Sequence, residues 1–358
     1  MQIKEDSILK EDIELAAKKL AETEGVQEKL SGKTVLITGA TGLIGSQLCK
    51  VLLTLTKDYG FDTTVAAYVR NPEKADAVFA SFKGDSHLVY VLGDLSEDLT
   101  YEGPVDYIVH GASPTGSRYF VEHPVETIHA AIDGTDRLLK FAAAKNVSGM
   151  AYLSSLEVYG VPSGKNETIS EKDYGYIDPL SVRSSYSEGK RLVECLCAGY
   201  ASEYGVPVKT LRLSQTFGAG VQYDDGRVFA EFARAVIEHR DIVLHTDGST
   251  VRTYCYTRDA VTAIMTVLLD GTVGEAYNVS NMSTSCSIHE MAEMVAGLYP
   301  DAGVNVRIEI PEDVSSFGYN PQMVIRLDST SLQKLGWNPT VDIDEMFRRT
   351  ISSMQERR

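Results

Sequence analysis

A glycine-rich turn at residues 39–45 limits this 358-residue chain to a small number of folds. The apolar run TVLIT precedes the turn and the segment SQLCKVLLTL follows it, so the glycines join a predicted strand to a predicted helix. Gly39, Gly42 and Gly45 suit this place because a Cβ atom would block the approach of a pyrophosphate to the helix N-terminus. The turn therefore predicts a dinucleotide-binding unit.

The alternation of apolar strands and helical segments continues beyond this turn. Five further runs are predicted to be buried strands, in the order TTVAAYV, LVYVLGDL, VDYIVHGAS, GMAYLSSLEVYG and VPVKTLRLSQTFG. This pattern indicates an α/β protein with a Rossmann-type, doubly wound parallel sheet. Ligands of such sheets bind beyond the carboxyl ends of the strands, so we expect the chemistry there.

The alternation breaks up after residue 217, where the sequence becomes rich in loops. We predict an N-terminal helical extension over residues 1–30 and a dinucleotide-binding Rossmann domain over 31–217. Residues 218–358 are predicted to form mainly a smaller, C-terminal substrate-binding lobe, with some chain returning to the Rossmann domain. The extension carries one helical apolar stripe, made of Leu9, Ile13, Ala16 and Leu20. This stripe either covers its own domain or contacts a second subunit.

Charge and cysteine content restrict the partners and the compartment. A net charge of −16 and a pI near 4.9 argue against binding to nucleic acid or to an anionic membrane. The five cysteines show no CxxC spacing and the seven histidines show no metal-binding spacing, which predicts reduced thiols and no metal site. No apolar stretch approaches the ~20 residues needed to span a bilayer, and the N-terminus is acidic. We therefore expect a cytoplasmic protein.

The ends of the second and third strands carry candidate cofactor contacts. NAD-binding folds commonly have an acidic residue at the end of the second strand, where it holds the ribose 2′-hydroxyl. This chain has Arg70 there, which suits stacking on adenine or contact with a 2′-phosphate, so NADP stays open beside NAD. Asp94 ends the third strand and is placed to accept a hydrogen bond from the adenine amino group.

A tyrosine and a lysine form the candidate catalytic pair. Tyr186 and Lys190 are four residues apart in a predicted helix, so they lie on one face. A nearby ammonium favours the ionised phenol, which predicts a lowered pKa and a base that works near neutral pH. The pair follows a strand that ends in Ser154 and Ser155, whose hydroxyl is placed to hold the reacting oxygen.

In chain order, the motifs GATGLIG, GDL, HGAS, SSLEVYG, YSEGK and LGWNPT resemble those of the extended short-chain dehydrogenase/reductases that epimerise, dehydrate or decarboxylate nucleotide sugars. The resemblance covers about residues 33–352. It implies a nucleotide-sugar substrate, Ser155 as the catalytic hydroxyl, Tyr186 as the base, and Lys190 as the residue that holds the nicotinamide ribose. It also implies cofactor contacts from Gly39, Thr41, Gly42, Leu43, Ile44, Gly45, Asp94, Leu95, Ala112 and Ser113.

Within this family, several stretches are similar to those of the UDP-glucuronate decarboxylases, also called UDP-xylose synthases. The similarity is carried by HGASPTGSRYFVEHP, DDGRVFAEF, YSEGKR and GSTVRTYCYTRD. It implies that Glu157 occupies a position where decarboxylases and 4,6-dehydratases both have Glu. Arg227 and Arg252 lie in predicted loops that resemble diphosphate-binding segments, where a guanidinium fits phosphate oxygens. Tyr119 and Gln215 are further candidate substrate contacts.

Two positions depart from the family pattern. Leu156 stands where a dehydratase has the Asp that protonates the leaving hydroxyl, and where a decarboxylase usually has Ser. Gln215 replaces an Asn that family members use near the substrate phosphates. These departures leave the reaction type open.

The leading hypothesis is decarboxylation of a nucleotide-linked uronic acid such as UDP-glucuronate. Tyr186 would take the proton of the C4 hydroxyl while hydride passes to the nicotinamide, after which the β-keto acid loses carbon dioxide and hydride returns. Glu157 is either a proton-exchanging group near C5 or a structural carboxylate. The alternatives are a 4-epimerase, a less favoured 4,6-dehydratase and, outside enzymes, a non-catalytic dinucleotide-sensing protein. A homodimer is the expected assembly.

Overall fold

The computed structural model describes residues 6–162, 168–311 and 323–358. Its strands, numbered in chain order, are β1 Lys33–Thr38, β2 Thr63–Val69, β3 Leu88–Leu92, β4 Tyr107–His110, β5 Gly149–Ser155, β6 Val208–Leu213, β7 Gln215–Phe217, β8 Ile242–Leu244, β9 Val251–Tyr256, β10 Ala276–Val279, β11 Asn281–Ser287, β12 Val306–Ile308 and β13 Val324–Ile325. Its helices are α1 Ser7–Ala21, α2 Val26–Leu30, α3 Leu43–Tyr59, α4 Pro72–Val78, α5 Ser117–Glu122, α6 Pro124–Lys145, α7 Ser184–Tyr204, α8 Val228–Ile237, α9 Thr257–Asp270, α10 Ile288–Leu298, α11 Thr330–Gln333 and α12 Ile343–Glu356.

The central sheet has seven parallel strands in the order β10-β6-β5-β4-β1-β2-β3. The strand order reverses at β1, which pairs with β2 on one side and with β4 on the other. Thr38 and His110, the last residues of β1 and β4, are register partners. A doubly wound sheet forms its ligand crevice at such a reversal, beyond the carboxyl ends of the strands.

Both faces of this sheet are covered, which explains why its strands are continuously apolar. Along β1, Val35 and Ile37 belong to a core shared with α3 and α9, whereas Leu36 belongs to a core shared with α6 and α7. Successive side chains of a strand point to opposite faces, so a strand between two helical layers needs apolar residues at every position.

A second core lies in the C-terminal half of the chain. It gathers aromatic side chains that include Phe217, Phe229, Tyr254 and Phe347. Strand β9 pairs with β7, β11 and β13, while β8 pairs with β12. The chain also returns to the central sheet, because β10 pairs with β6 and α9 packs against the β1 face. The domain boundary at residue 217 stays a prediction.

The N-terminal extension consists of α1 and α2, and α1 packs against α3, α9 and α12. The buried residues of α1 are Asp12, Ile13, Ala16, Ala17 and Leu20. Of the two interpretations of the apolar stripe, the structure shows the one in which the helix covers its own domain. Among the described helices, none has the length and apolar character needed to cross a bilayer.

Candidate active site

The glycine turn lies at the reversal point of the sheet and packs against the end of β4. Gly39 has a φ of 71°, and a Cβ on it would lie 2.9 Å from backbone atoms of Gly111 and Ala112. A Cβ on Gly45 would collide with the carbonyl oxygen of Gly39. Gly42 begins α3 without a side-chain cap, so this N-terminus is suited to an anion. These features fit the pyrophosphate of a dinucleotide.

The other predicted cofactor residues surround this turn. Thr41, Leu43 and Ile44 belong to the turn and the first residues of α3. The amide of Ala112 donates to the Thr38 hydroxyl over 3.2 Å, and Ser113 Oγ donates to the carbonyl of Pro114 over 3.1 Å. Leu95 follows Asp94, and its carbonyl accepts a hydrogen bond from Arg137.

Arg70 and Asp94 lie together at the ends of β2 and β3. Arg70 Nη1 is 3.5 Å from Asp94 Oδ2, and the Arg70 side chain is 79% exposed. The amide of Ser96 and the Arg70 guanidinium hold the pKa of Asp94 below its usual range. An exposed pair of this kind stabilises the fold little, so both groups are available to a ligand. Contact of Arg70 with a 2′-phosphate stays a prediction.

Ser155 and Tyr186 meet at the end of β5. Ser155 is the last residue of that strand, Tyr186 lies in the first turn of α7, and the Ser155 hydroxyl acts to lower the pKa of the Tyr186 phenol. The Tyr186 ring stacks on Phe120 with centroids 4.3 Å apart and an interplanar angle of 11°. This stacking fixes the ring, so the phenol oxygen is directed by packing as well as by Ser155.

Lys190 lies one turn beyond Tyr186, as the spacing predicts, but the pKa of the phenol is raised and not lowered as expected. Its Nζ donates to the carbonyl of Leu153 over 2.8 Å and lies 5.7 Å from the centroid of the Tyr186 ring. Burial lowers the pKa of Lys190 to about 8. Burial and the Glu157 carboxylate raise the pKa of Tyr186 and outweigh the hydrogen bond from Ser155.

Glu157 lies in a buried ion pair beside this tyrosine. Arg183 donates Nη1 to Oε2 over 3.0 Å and Nη2 to Oε1 over 2.8 Å, and the Ser187 hydroxyl donates to Oε2 over 2.9 Å. Burial alone would raise the pKa of Glu157, but Arg183, Arg252 and Ser187 together hold it below its usual range. Glu157 is therefore an ionised carboxylate.

Arg183 and Ser187 are functional candidates that the sequence reasoning missed. Arg183 precedes Tyr186 by three residues, and its guanidinium lies 5.1 Å from the centroid of the Phe120 ring. Ser187 lies four residues beyond Arg183, which brings both to one side of the start of α7. That spacing is the sequence signal for the pair, although it does not reveal Glu157 as their partner.

Arg227 and Arg252 approach the same group of residues. Arg227 precedes α8, donates Nη2 to Asp225 over 2.6 Å, and lowers the pKa of Tyr186 through its charge. Arg252 lies within β9 and not in a loop as expected, because β11 and β13 pair with that segment. Its charge acts on Glu157, and its Nη2 donates to Met323 Sδ over 3.9 Å.

The two remaining substrate candidates lie on separate elements. Tyr119 is in α5, is 39% exposed and contacts the ring of His123, with centroids 4.7 Å apart. Its neighbour Phe120 is the residue that stacks on Tyr186. Gln215 begins β7 and is half-buried. The roles of Tyr119 and Gln215 stay predictions.

Comparisons with known proteins agree with this geometry. The model of the NAD dependent epimerase/dehydratase family matches residues 35–280. UDP-glucuronic acid decarboxylase 6 of Arabidopsis thaliana is 30% identical over 317 residues, which are 88% of this chain and 87% of that protein. The structure of UDP-glucuronic acid 4-epimerase from Bacillus cereus, in complex with UDP-glucuronic acid and NAD, aligns with a TM-score of 0.74 and 20% identity over 90% of this chain and 99% of that one.

A dehydratase shares the same fold. DesIV, the dTDP-glucose 4,6-dehydratase from Streptomyces venezuelae with NAD and TYD bound, aligns with a TM-score of 0.75 and 22% identity. The alignment covers 90% of this chain and 97% of that one. These likenesses confirm the predicted Rossmann-type, doubly wound fold.

Proposed function

Since the chain belongs to the NAD dependent epimerase/dehydratase family, we propose that it decarboxylates a nucleotide-linked uronic acid such as UDP-glucuronate through transient oxidation at C4. It is an enzyme of that family, and NAD is the family's cofactor. The observation that carries the proposal is that three guanidinium groups act on the Ser155–Tyr186–Glu157 cluster, one through its ion pair with Glu157 and two through their charge. These groups belong to Arg183, Arg227 and Arg252.

Positive charge at this point favours a substrate that is anionic beside the reacting carbon. The chain as a whole carries a net charge of −16, so an anionic substrate needs local cations. Arg183 is neutralised by Glu157 and Arg227 by Asp225. Arg252 makes no ion pair among the described residues, which leaves its charge for a ligand phosphate or carboxylate.

The residues that would hold NAD are those of the glycine turn, Asp94, Ala112, Ser113, Tyr186 and Lys190. When bound, NAD would supply the acceptor for the C4 hydride and the donor for its return. Tyr186 removes the proton of the C4 hydroxyl in its ionised form, which the charges of Arg183 and Arg227 favour against burial and Glu157. Ser155 holds the oxygen that becomes the ketone. Lys190 fixes the ribose beside Tyr186. The proton returns from Tyr186 to that oxygen when C4 is reduced.

Decarboxylation follows from the chemistry of the oxidised sugar. A ketone at C4 makes the C5 carboxylate a β-keto acid, so the C5–C6 bond breaks, carbon dioxide leaves, and the electron pair delocalises into the ketone. C5 then needs a proton, and Glu157 relays it from solvent and returns to its ionised state. Dehydration is disfavoured because Leu156, which is 2% exposed, stands where that reaction needs an acid. A 4-epimerase needs only Ser155, Tyr186 and Lys190 and is the competing outcome.

We expect the purified enzyme to carry bound cofactor and to turn over its substrate without an added oxidant. The hydride taken from C4 is returned within the same cycle, so oxidised cofactor is regenerated. Absorbance of reduced nicotinamide, followed during turnover with UDP-glucuronate, tests this directly. Release of one reduced cofactor per product would instead indicate a simple dehydrogenase and would contradict the proposal.

We further propose that the chain forms a homodimer and works in the cytoplasm. Helices α6 and α7 pack on each other and expose Val125, Ile128 and Leu192. Exposed apolar side chains on neighbouring helices support an association surface. All five cysteines are free thiols, which supports a reducing compartment. A solution mass equal to one chain of 39.2 kDa would exclude the dimer.

A further inference from the structure

The backbone of residues 219–221 is held by side chains from three distant elements. The amide of Ala219 donates to the Tyr256 hydroxyl of β9 over 3.3 Å. The amide of Gly220 donates to the Ser353 hydroxyl of α12 over 2.9 Å. These contacts fix a segment that runs from the end of β7 towards Arg227. We call residues 219–227 the approach loop, because it ends at Arg227 of the candidate active site.

Two further side chains complete this attachment. Gln47 of α3, the helix that follows the glycine turn, donates to the carbonyl of Ala219 over 2.7 Å. Arg357 donates to the carbonyls of Gly220 and Val221. The start of the approach loop is therefore tied to the cofactor-binding helix and to the C-terminal end of the chain.

Asp12 of the N-terminal helix binds Tyr256, one of the four side chains that hold the approach loop. Its side chain is 1% exposed and accepts a hydrogen bond from the same Tyr256 hydroxyl that receives the Ala219 amide. Arg258 donates to Asp12 over 3.0 Å, and Arg349 forms an ion pair with it at 2.9 Å. A buried carboxylate is costly unless it is fully paired, and Asp12 is paired three times.

Asp6, the N-terminal cap of the same helix, binds two more of these side chains, Ser353 and Arg357. Its Oδ2 accepts a hydrogen bond from the Ser353 hydroxyl over 2.6 Å and lies 3.1 Å from Arg357 Nε. Ser353 and Arg357 are the side chains that bind the backbone at Gly220 and Val221. Asp12 therefore acts on the approach loop through Tyr256, and Asp6 acts on it through Ser353 and Arg357.

The family match does not account for this arrangement. It begins at residue 35, whereas α1 ends at Ala21. Helix α1 would need only its apolar stripe to cover α3 and α9. Asp6 and Asp12 instead organise Tyr256, Ser353 and Arg357, which are three of the four side chains that hold the approach loop.

We propose that Asp6 and Asp12 are positioning residues, and that through them the N-terminal helix sets the approach loop and hence the place of Arg227 beside Tyr186. The inference deepens the proposed function and rests on it for the role of Arg227 in binding an anionic substrate. The attachment of the loop to α1 can be measured without any substrate, so the two proposals can fail separately.

Hydrogen exchange of the full-length protein measures the attachment directly. Asp12→Asn and Asp6→Asn should speed exchange of the Ala219 and Gly220 amides by about tenfold or more, as loss of one charge-assisted hydrogen bond predicts. Strand β1 should keep its protection. The matched control is Glu14→Gln, which removes the same charge from an exposed position of α1. Exchange equal to that of the control would overturn the inference.

Kinetics then separates positioning from general support of the fold. Asp12→Asn should raise KM for the nucleotide sugar by about tenfold and change kcat less, because it displaces Arg227, which the proposal assigns to substrate binding. In an Arg227→Gln background the same change should have little further effect, since it acts through Arg227. Additive effects in this cycle would show that Asp12 acts by another route. If Asp12→Asn does not fold, Asp6→Asn and Tyr256→Phe carry the same test.

Discussion

Replacing Tyr186 with phenylalanine should lower turnover by about 10²–10⁴-fold, the usual contribution of a general acid–base group. The substitution keeps the ring that stacks on Phe120 and removes only the phenol oxygen. Folding and cofactor content should therefore stay close to those of the unchanged enzyme. Steady-state kinetics with UDP-glucuronate, beside thermal unfolding and cofactor absorbance, measures all three.

Tyr204→Phe is the matched control for this prediction. Tyr204 lies at the last turn of the same helix and is 60% exposed, so the loss of its hydroxyl should leave turnover unchanged. If Tyr186→Phe also kept near-full turnover, Tyr186 would not be the base. The phenol oxygen of Tyr186 would then have a structural role only.

Glu157→Gln should slow the steps that follow oxidation of the sugar. The amide keeps the size and much of the hydrogen bonding of the carboxylate, but it cannot ionise or relay a proton. Hydride transfer from C4 should still occur, so reduced nicotinamide should accumulate while substrate is bound. We expect the later steps to slow by about 10²-fold or more, and the initial oxidation by less. Single-turnover absorbance resolves the two phases.

Ser187→Ala separates this role from a structural one. It removes one hydrogen bond to Glu157 and leaves the carboxylate and its Arg183 pair in place. A proton-relaying Glu157 predicts that this variant keeps the balance of the two phases. If Glu157→Gln only lowered thermal stability and slowed both phases equally, the carboxylate would be structural. The argument for proton transfer at C5 would then be lost.

The parts of the site that could be predicted from sequence depend on local geometry. Gly39, Gly42 and Gly45 are predictable because they join a strand to a helix with the spacing of a pyrophosphate-binding turn. For Gly45 the constraint is local, since a Cβ would meet the carbonyl oxygen of Gly39. Tyr186 and Lys190 were placed on one face by helical spacing alone. The order of strand and helix predicts Ser154 and Ser155 at this site, since the carboxyl ends of parallel strands meet at one edge of the sheet. The choice of Ser155 depends on the family resemblance.

The parts that could not be predicted depend on contacts between distant elements. The raised pKa of Tyr186 results from burial and from Glu157, which comes from another element of the fold. Arg183 gives no sequence signal for its ion pair with a residue twenty-six positions away. The apolar stripe of α1 was visible, but Asp12 became informative only when its hydrogen bond to Tyr256 brought it to the approach loop.

Product mass after incubation with a panel of nucleotide sugars tests the central claim most directly. The panel includes uronic acids, and no oxidant is added. The account predicts that a nucleotide-linked uronic acid such as UDP-glucuronate loses one carbon dioxide, while the neutral-sugar nucleotides keep their mass. A uronic acid product of unchanged mass with inverted configuration at C4 would show a 4-epimerase, and loss of one water would show a dehydratase. Either result would contradict decarboxylation.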